Sequence, residues 1–337
     1  MLLIALLVFL GFIWLILGRT VAKGVGRNLV NLEIGNRMLK QQIECPPEWA
    51  PFLRHKCHMP PRWRLYLTAY TIGPFRFIIF SLCHIFAAVA ANVLPREKFR
   101  TVARLICHII LWAVGLEIVQ VGTPDGSAPG YVGNHVGTLD AYLFLAQKIP
   151  ICFLGRAEIE KMFLVGNIVK KLGFIFVKRQ EGASRSESGQ NIVDYLSHWK
   201  PGMPHLFVFP EGTTTNGLQT IPFKSGAFRS LTAVQPVRLE YQSPLDPFVN
   251  TEDFESLYCL MMCLPRRKIV INWLETLKPK QGETPDELAK RAQEAVNGQV
   301  LSYAELNGYR VHRDVEEFIK QKIRERDHRR TRGSKED

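Results

Sequence analysis

Two short polar segments carry the side chains best suited to chemistry, Asn134-His135-Val136-Gly137-Thr138-Leu139-Asp140 and Phe209-Pro210-Glu211-Gly212-Thr213. In the first, His135 stands five positions before Asp140, a spacing that lets a carboxylate hold an imidazole by one nitrogen and leave its other nitrogen open. Such an imidazole can take the proton of a hydroxyl that is too weak a nucleophile at neutral pH. The carboxylate fixes the tautomer and stabilises the imidazolium that forms. The second segment sets a Glu and two small residues just after the strand-like run 205–209, where sites form in α/β domains. Alone the His-x4-Asp spacing is weak, since with nine His and nine Asp chance supplies it in roughly one such chain in four.

The elements that must position these residues are an alternation. Short apolar or β-branched runs lie at 151–154, 174–177, 206–209, 234–241 and 269–273, and segments of helical character lie between most of them, at 139–148, 157–172, 185–199 and 222–231. The alternation predicts an α/β domain with a central mixed sheet flanked by helices. Thr284-Pro285-Asp286-Glu287 supplies an N-cap, a first-turn Pro and the Glu of a capping box, so a helix should start there and run towards Leu306. The turn-forming stretch 122–130 marks the start of this domain.

Upstream, the longest apolar runs all precede residue 122. Residues 1–18 hold no charge and reach the lower limit for spanning a bilayer core of about 30 Å. A secretory signal is the competing reading, but no basic segment precedes the run and no small-x-small cleavage site closes it. A second run, 77–94, and a third, 105–116, suit a pair that dips into one leaflet and returns near Pro95, with flanking Arg and Lys on the cytosolic side. The third run suits a buried helix of the globular domain equally well. The expected organisation is a membrane anchor (1–18), a basic linker (19–76), re-entrant or membrane-associated helices (77–121), the α/β domain (122–308) and a charged basic tail (309–337). In the tail, Val315, Phe318, Ile319 and Ile323 fall at helical spacing.

The chain of 337 residues carries a net charge of +12, which suits nucleic acid or anionic lipid. Apolar anchors favour lipid, and no nucleic-acid partner is expected. Seven widely spaced cysteines do not read as a disulfide framework, which places the domain in a reducing compartment. A zinc site from Cys45, His55, Cys57 and His58 is formally possible, but paired CxxC knuckles are absent and no metal is assigned. Cys152 lies in an apolar run that favours an inert thiol.

The two polar segments are joined, in order, by Gly173-Phe-Ile-Phe-Val-Lys-Arg179, Phe223-Lys224-Ser225-Gly226-Ala227-Phe228 and Val234-Gln235-Pro236-Val237-Arg238. Over residues 105 to 245 this set resembles the glycerolipid acyltransferases, the family of lysophosphatidic acid, glycerol-3-phosphate and lysophosphatidylcholine acyltransferases. Glu211-Gly-Thr-Thr-Thr-Asn216 followed by Phe-Lys-x-Gly-Ala-Phe is closer to the lysophosphatidylcholine enzymes. Gly137-Thr138 stands where many members have Ser, which bears on fine substrate positioning, and no Asp-rich calcium-binding loop occurs.

The resemblance implies transfer of an acyl group from acyl-CoA to a lysophospholipid hydroxyl, with His135 as base, Asp140 as its orienting carboxylate, and no metal or other cofactor. It implies that Glu211, Gly212 and Thr213 line the acceptor site, Glu211 organising Arg179 or the glycerol hydroxyls, and places Asn134 with them. Arg179, directly after a strand, could grip a phosphate in a bidentate manner, with Lys178 and Lys224 as secondary candidates. Oxyanion stabilisation would come from backbone N–H groups near Gly137 or from a water. The implied setting is the endoplasmic reticulum membrane with the site facing the cytosol, or equally a lipid droplet. A non-catalytic membrane scaffold and a lipid hydrolase are the competing classes; the hydrolase lacks a Gly-x-Ser-x-Gly elbow.

Overall fold

The computed structural model describes residues 2–39, 43–53, 60–177, 183–217, 220–242, 254–297 and 308–333. Seven strands form one sheet: β1 (Leu116–Val121), β2 (Gly130–Gly133), β3 (Ile151–Arg156), β4 (Ile175–Val177), β5 (His205–Val208), β6 (Val234–Gln242) and β7 (Arg267–Trp273). Their order is β1-β7-β6-β2-β5-β3-β4, and every pairing is parallel except β6 with β7. This is the mixed sheet that the alternation of runs predicts.

Both faces of the sheet are covered, and the period-2 geometry of a strand divides the side chains between them. On β2 and β5, Tyr131 and Phe207 enter one core with Phe144, Leu111, Leu260 and Val25, while Val132, Leu206 and Val208 enter another with Ile192, Phe228, Leu288 and Val296. The first layer comprises α1 (Leu2–Leu39), α2 (Arg62–Tyr70), α3 (Ile72–Val93), α4 (Arg96–Ala113), α5 (Asp140–Leu145) and α8 (Phe254–Cys263). The second comprises α7 (Ala183–Ser197), α9 (Pro285–Asn297) and a 3-10 turn, Ser225–Phe228. Helix α6 (Val165–Leu172) packs on α3 and closes with Gly173 at φ +87°, whose N–H bonds back to Val169 and Lys170 in a left-handed cap. Helix α9 opens with the expected capping box, Glu287 N–H donating to Thr284 Oγ1 and Thr284 N–H to Glu287 Oε2.

The N-terminal region departs from the expected division. Helix α1 runs without a break through position 18. Its first half exposes Leu7, Val8, Phe9, Phe12 and Leu15, while Val21, Ala22 and Val25 are buried in the core under the sheet. The second half of α1 is therefore built into the domain: Val21, Ala22, Val25 and Leu29 recur at helical spacing and pack with Leu65 and Ala69 of α2 and Leu257 and Leu260 of α8. Two helices, Leu6–Val30 and Ile72–Val93, are long and apolar enough to cross a membrane. Helices α3 and α4 pack as a hairpin that turns at Leu94–Pro95. The run 105–116 supplies the end of α4 and the first residue of β1; Ile106, Ile110 and Leu111 face inward, and Leu105 and Trp112 outward.

Helix α10 (Gly308–Gly333) buries Val315 and Ile319 against Ile34 and Met38 of α1, Phe52 of the 3-10 segment Pro47–Phe52, and Leu53 just after it. No helix forms over 222–231 beyond the 3-10 turn. The backbone donors there are used elsewhere: Phe223 N–H goes to Gln293 Oε1 and Lys224 N–H to Pro210 O. His55, Cys57 and His58, of the formally possible zinc set, lie outside the described residues, as do Lys178 and Arg179.

Candidate active site

The loop between β2 and α5 holds His135 at the carboxyl end of the central strand, the usual place for a site in an open α/β sheet. Gly133, the last residue of β2, comes so close to β6 that a Cβ there would lie 2.5 Å from Val237 O. Asn134 then imitates one more strand residue: its Nδ2 donates to Leu239 O at 3.0 Å, and its Oδ1 accepts the Leu239 N–H at 2.8 Å. Asn134 is 2% exposed, so its amide serves the backbone that launches the His135 loop.

Asp140, fully buried at the first turn of α5, gathers that loop. Its Oδ2 accepts His135 Nδ1–H at 2.8 Å, Val136 N–H at 2.7 Å and Gly137 N–H at 3.0 Å, and its Oδ1 accepts the Tyr241 hydroxyl. An acceptor on Nδ1 sets the proton there and leaves Nε2 with its lone pair. Among the described residues nothing hydrogen-bonds to Nε2, and the side chain is 24% exposed. The ring stacks on Phe209, centroids 4.1 Å apart and planes at 14°. Phe209 in turn packs against Phe207, Phe153 and Phe144, so the aromatic core of the sheet fixes the plane of the imidazole. The N–H groups of Val136 and Gly137 are committed to Asp140, which removes the Gly137 donor from the choices for an oxyanion.

Glu211 joins the two polar segments from inside. Expected to line the acceptor site, it is fully buried, its Oε1 accepting the His135 N–H at 2.9 Å and its Oε2 the Ile221 N–H at 3.4 Å. Burial pushes its pKa up to about 8; the His135 and Ile221 N–H groups and Thr215 oppose that shift, and the Asp140 charge adds to it. A carboxyl kept largely neutral at pH 7 serves here as a two-acceptor clamp on the backbone. Thr215 N–H completes the tie by donating to His135 O at 2.8 Å.

Gly212 sits at φ +70°, and a Cβ there would lie 2.6 Å from Lys224 Nζ, so the exposed Lys224 lies across the turn after β5. The Thr213 hydroxyl is paired with His312 Nδ1 at 2.7 Å, which ties the turn to α10, and His312 stacks on Phe52. Thr138 Oγ1 meets the Tyr258 hydroxyl of α8 at 3.0 Å. His135, Asp140, Asn134, Glu211, Gly212, Thr213 and Lys224 thus lie in one connected region. Phe209, Tyr241 and His312 join them without a signal that spacing alone could give: Tyr241 reads as a strand residue and His312 as part of a charged tail. Cys152 is buried, its Sγ 3.4 Å from the Tyr195 hydroxyl, and burial pushes its pKa up to about 11. Among the described residues no group of three His, Cys, Asp or Glu is placed to hold a metal ion.

Residues 127–247 match the family model described as Acyltransferase. The lyso-ornithine lipid O-acyltransferase of Pseudomonas aeruginosa is 34% identical over 185 residues, 51% of this chain and 69% of that protein. A lysophospholipid acyltransferase of Arabidopsis thaliana is 35% identical over 183 residues, 50% of this chain and 44% of its own length. The lysophosphatidylcholine acyltransferase of Drosophila melanogaster is 31% identical over 158 residues, 46% of this chain and 29% of its length. The chain thus spans less than half of these last two relatives. The solved 1-acyl-sn-glycerophosphate acyltransferase of Thermotoga maritima aligns at a TM-score of 0.49 and 18% identity, over 67% of this chain and 95% of that one. Given the identity to the Pseudomonas protein over more than two thirds of its length, the chain belongs to the glycerolipid acyltransferase family.

Proposed function

We propose that the chain is an acyl-CoA-dependent lysophospholipid O-acyltransferase acting at a membrane surface, with His135 as general base and a lysophosphatidylcholine-like acceptor. The observation that carries this reading is the His135–Asp140 pair, with Nδ1 held at 2.8 Å and Nε2 open beside Phe209. Nε2 takes the proton of the acceptor hydroxyl as its oxygen attacks the thioester carbonyl. The C–O bond forms, the C–S bond breaks, and the proton passes from the imidazolium to the departing coenzyme A sulfur. Asp140 stabilises the imidazolium between those two transfers.

No covalent acyl-enzyme is required, and the raised pKa of Cys152 argues against one there. Lys224, exposed across Gly212, and Arg179 are assigned to the acceptor's phosphate, with Gly212 and Thr213 shaping the turn beside it. The apolar faces of α1 and α3 suit a lipid that stays in the leaflet while its glycerol reaches His135. The net charge of +12 favours approach of the polyanionic coenzyme A donor. The proposal includes an endoplasmic reticulum or lipid droplet membrane with the site facing the cytosol. Protection of the region around residue 180 from protease added outside sealed vesicles would contradict that orientation.

The same cations suit a phosphate monoester, so acylation of lysophosphatidic acid or glycerol 3-phosphate is the second reading. Transfer of labelled acyl groups from acyl-CoA to a panel of lysophospholipids and glycerol 3-phosphate decides between them. Transfer to one acceptor class names the head group; no transfer to any acceptor by folded, membrane-bound protein favours a scaffold, and release of free fatty acid without acceptor favours a hydrolase.

A further inference from the structure

At the end of the sheet opposite His135 an open cleft of about 80 Å³ lies between α4, the segment joining α5 to β3, and the end of α6. Arg100, Arg104 and Lys148 line it, together with Thr101 and Gln147, and no carboxylate does. Leu172 forms one wall. Beside it the Arg96 guanidinium packs directly against Gly173, where it leaves no room for a Cβ. Among the described residues none of these four cations pairs with a carboxylate, and Glu97 offsets the Arg100 charge only weakly. Burial, and next the Arg96 charge, pull the Arg100 pKa down, which is what crowding of like charges at a partly desolvated site does.

Solvated surface lysines and arginines are ordinary, but these converge on a concavity instead of fanning outward. Crowding them there without a counter-charge costs stability that a bound anion would restore. Two guanidinium groups and an ammonium match the oxygens of a phosphate, which arginine can grip by two parallel hydrogen bonds. The cleft is separate from the catalytic region. Ile151 pairs with His205, and Leu206 with Gly130, so Ile151 is level with Pro129. Four residues, about 13 Å, separate that level from Gly133, and His135 lies beyond it.

We propose that this cleft is a second anion site, one that takes a phosphate group. The group could come from free phosphate or from the head group of an anionic phospholipid, since α4 carries the exposed apolar Leu105, Ile109 and Trp112 one to three turns further along. The inference concerns binding and does not depend on the acyl-transfer reading.

The test compares thermal melting of the full chain with Arg100→Gln/Arg104→Gln/Lys148→Gln and with a control of equal charge, Lys200→Gln/Lys268→Gln/Lys290→Gln. Each is measured in detergent against sodium phosphate at fixed ionic strength, and in phosphatidylcholine nanodiscs with and without phosphatidic acid. Stabilisation of wild type and control by phosphate, with at least tenfold more needed by the cleft variant, about 1.4 kcal/mol, supports a site for free phosphate. Stabilisation only by phosphatidic acid, again lost in the cleft variant, supports a lipid head group. The proposal is overturned if cleft variant and wild type respond alike to both, or if neither anion stabilises the wild type. Arg104→Gln/Lys148→Gln, which leaves the more buried Arg100 in place, repeats the comparison if the triple variant does not accumulate.

Discussion

Replacing Asp140 by Asn tests how the imidazole is held, because the local geometry decides which way the new amide must face. The carboxylate oxygen that accepts His135 Nδ1 is the same one that accepts the Val136 and Gly137 N–H groups. An amide NH2 in that position would confront two fixed backbone donors, at a cost of about 1–3 kcal/mol each for the hydrogen bonds lost. The Asn oxygen therefore takes the Oδ2 position, and its NH2 turns to Tyr241, whose hydroxyl can accept as well as donate. His135 keeps the tautomer with its proton on Nδ1. What is lost is the difference between an ionised and a neutral acceptor beside the imidazolium, about 1–2 kcal/mol.

The expected result for Asp140→Asn is a kcat roughly 5- to 30-fold below wild type, with melting lowered by only a few degrees. Where an Asn presents its NH2 to the catalytic imidazole, the wrong tautomer costs about 10⁴-fold. The assay is acyl transfer at saturating acyl-CoA, run beside a thermal melt. A loss near 10⁴-fold in folded Asp140→Asn would refute the reasoning, since it would mean that the amide had settled the other way. Asp140→Ala, which orphans the two N–H groups and frees the ring, should lose far more activity and more stability than Asp140→Asn.

Glu211→Gln should fold, its NH2 facing the longer Ile221 contact at a cost of about 1–3 kcal/mol, and keep most of its activity at pH 7, because the buried carboxyl is largely neutral there. With a folded pKa of about 8 against 4.5 unfolded, ionisation favours the unfolded chain, so wild-type stability is full below pH 4.5 and falls as pH rises towards 8, by up to about 1.4 kcal/mol per unit. Glu211→Gln should escape that fall, and parallel melting curves for the two proteins across pH 5 to 8 would contradict it. Phe209→Leu should keep the packing yet lose the stack on His135, lowering kcat several-fold with a small change in melting; an unchanged kcat would show that the ring plane needs no such support. Thr213→Val and His312→Leu should each destabilise by about 1 kcal/mol and fall short of additivity when combined, as partners in one hydrogen bond do. Gly212→Ala forces a methyl onto Lys224 at positive φ, so acceptor KM should rise more than kcat falls if Lys224 binds the acceptor.

The strands rich in β-branched and aromatic residues were legible in the chain, and so was the start of α9, since its capping box is a local signal. Strand β2 was not. Its two glycines depress strand propensity, and the reason for Gly133 is the close approach of β6, a contact from a hundred residues away. Strand β1 was masked by the apolar end of α4. The continuity of α1 was hidden because the first half shows apolar residues on every side and the second on one stripe, which reads as an anchor and a linker. At the candidate site, the pairing of His135 with Asp140 follows from their spacing. The burial of Glu211 and Asn134 does not, since a polar side chain gives no sign in the sequence that its partners will be backbone groups of another loop.

The most direct test of the central claim is single-turnover acyl transfer by purified His135→Ala, with the acceptor that the panel identifies. A general base contributes about 10²- to 10⁴-fold, so a loss in that range or beyond is expected. The melting temperature should stay within a few degrees of wild type, because the loop is held by Asp140, Glu211 and Thr215 through backbone groups that the substitution leaves in place. Transfer within a few-fold of wild type would contradict the account and remove His135 from the chemistry.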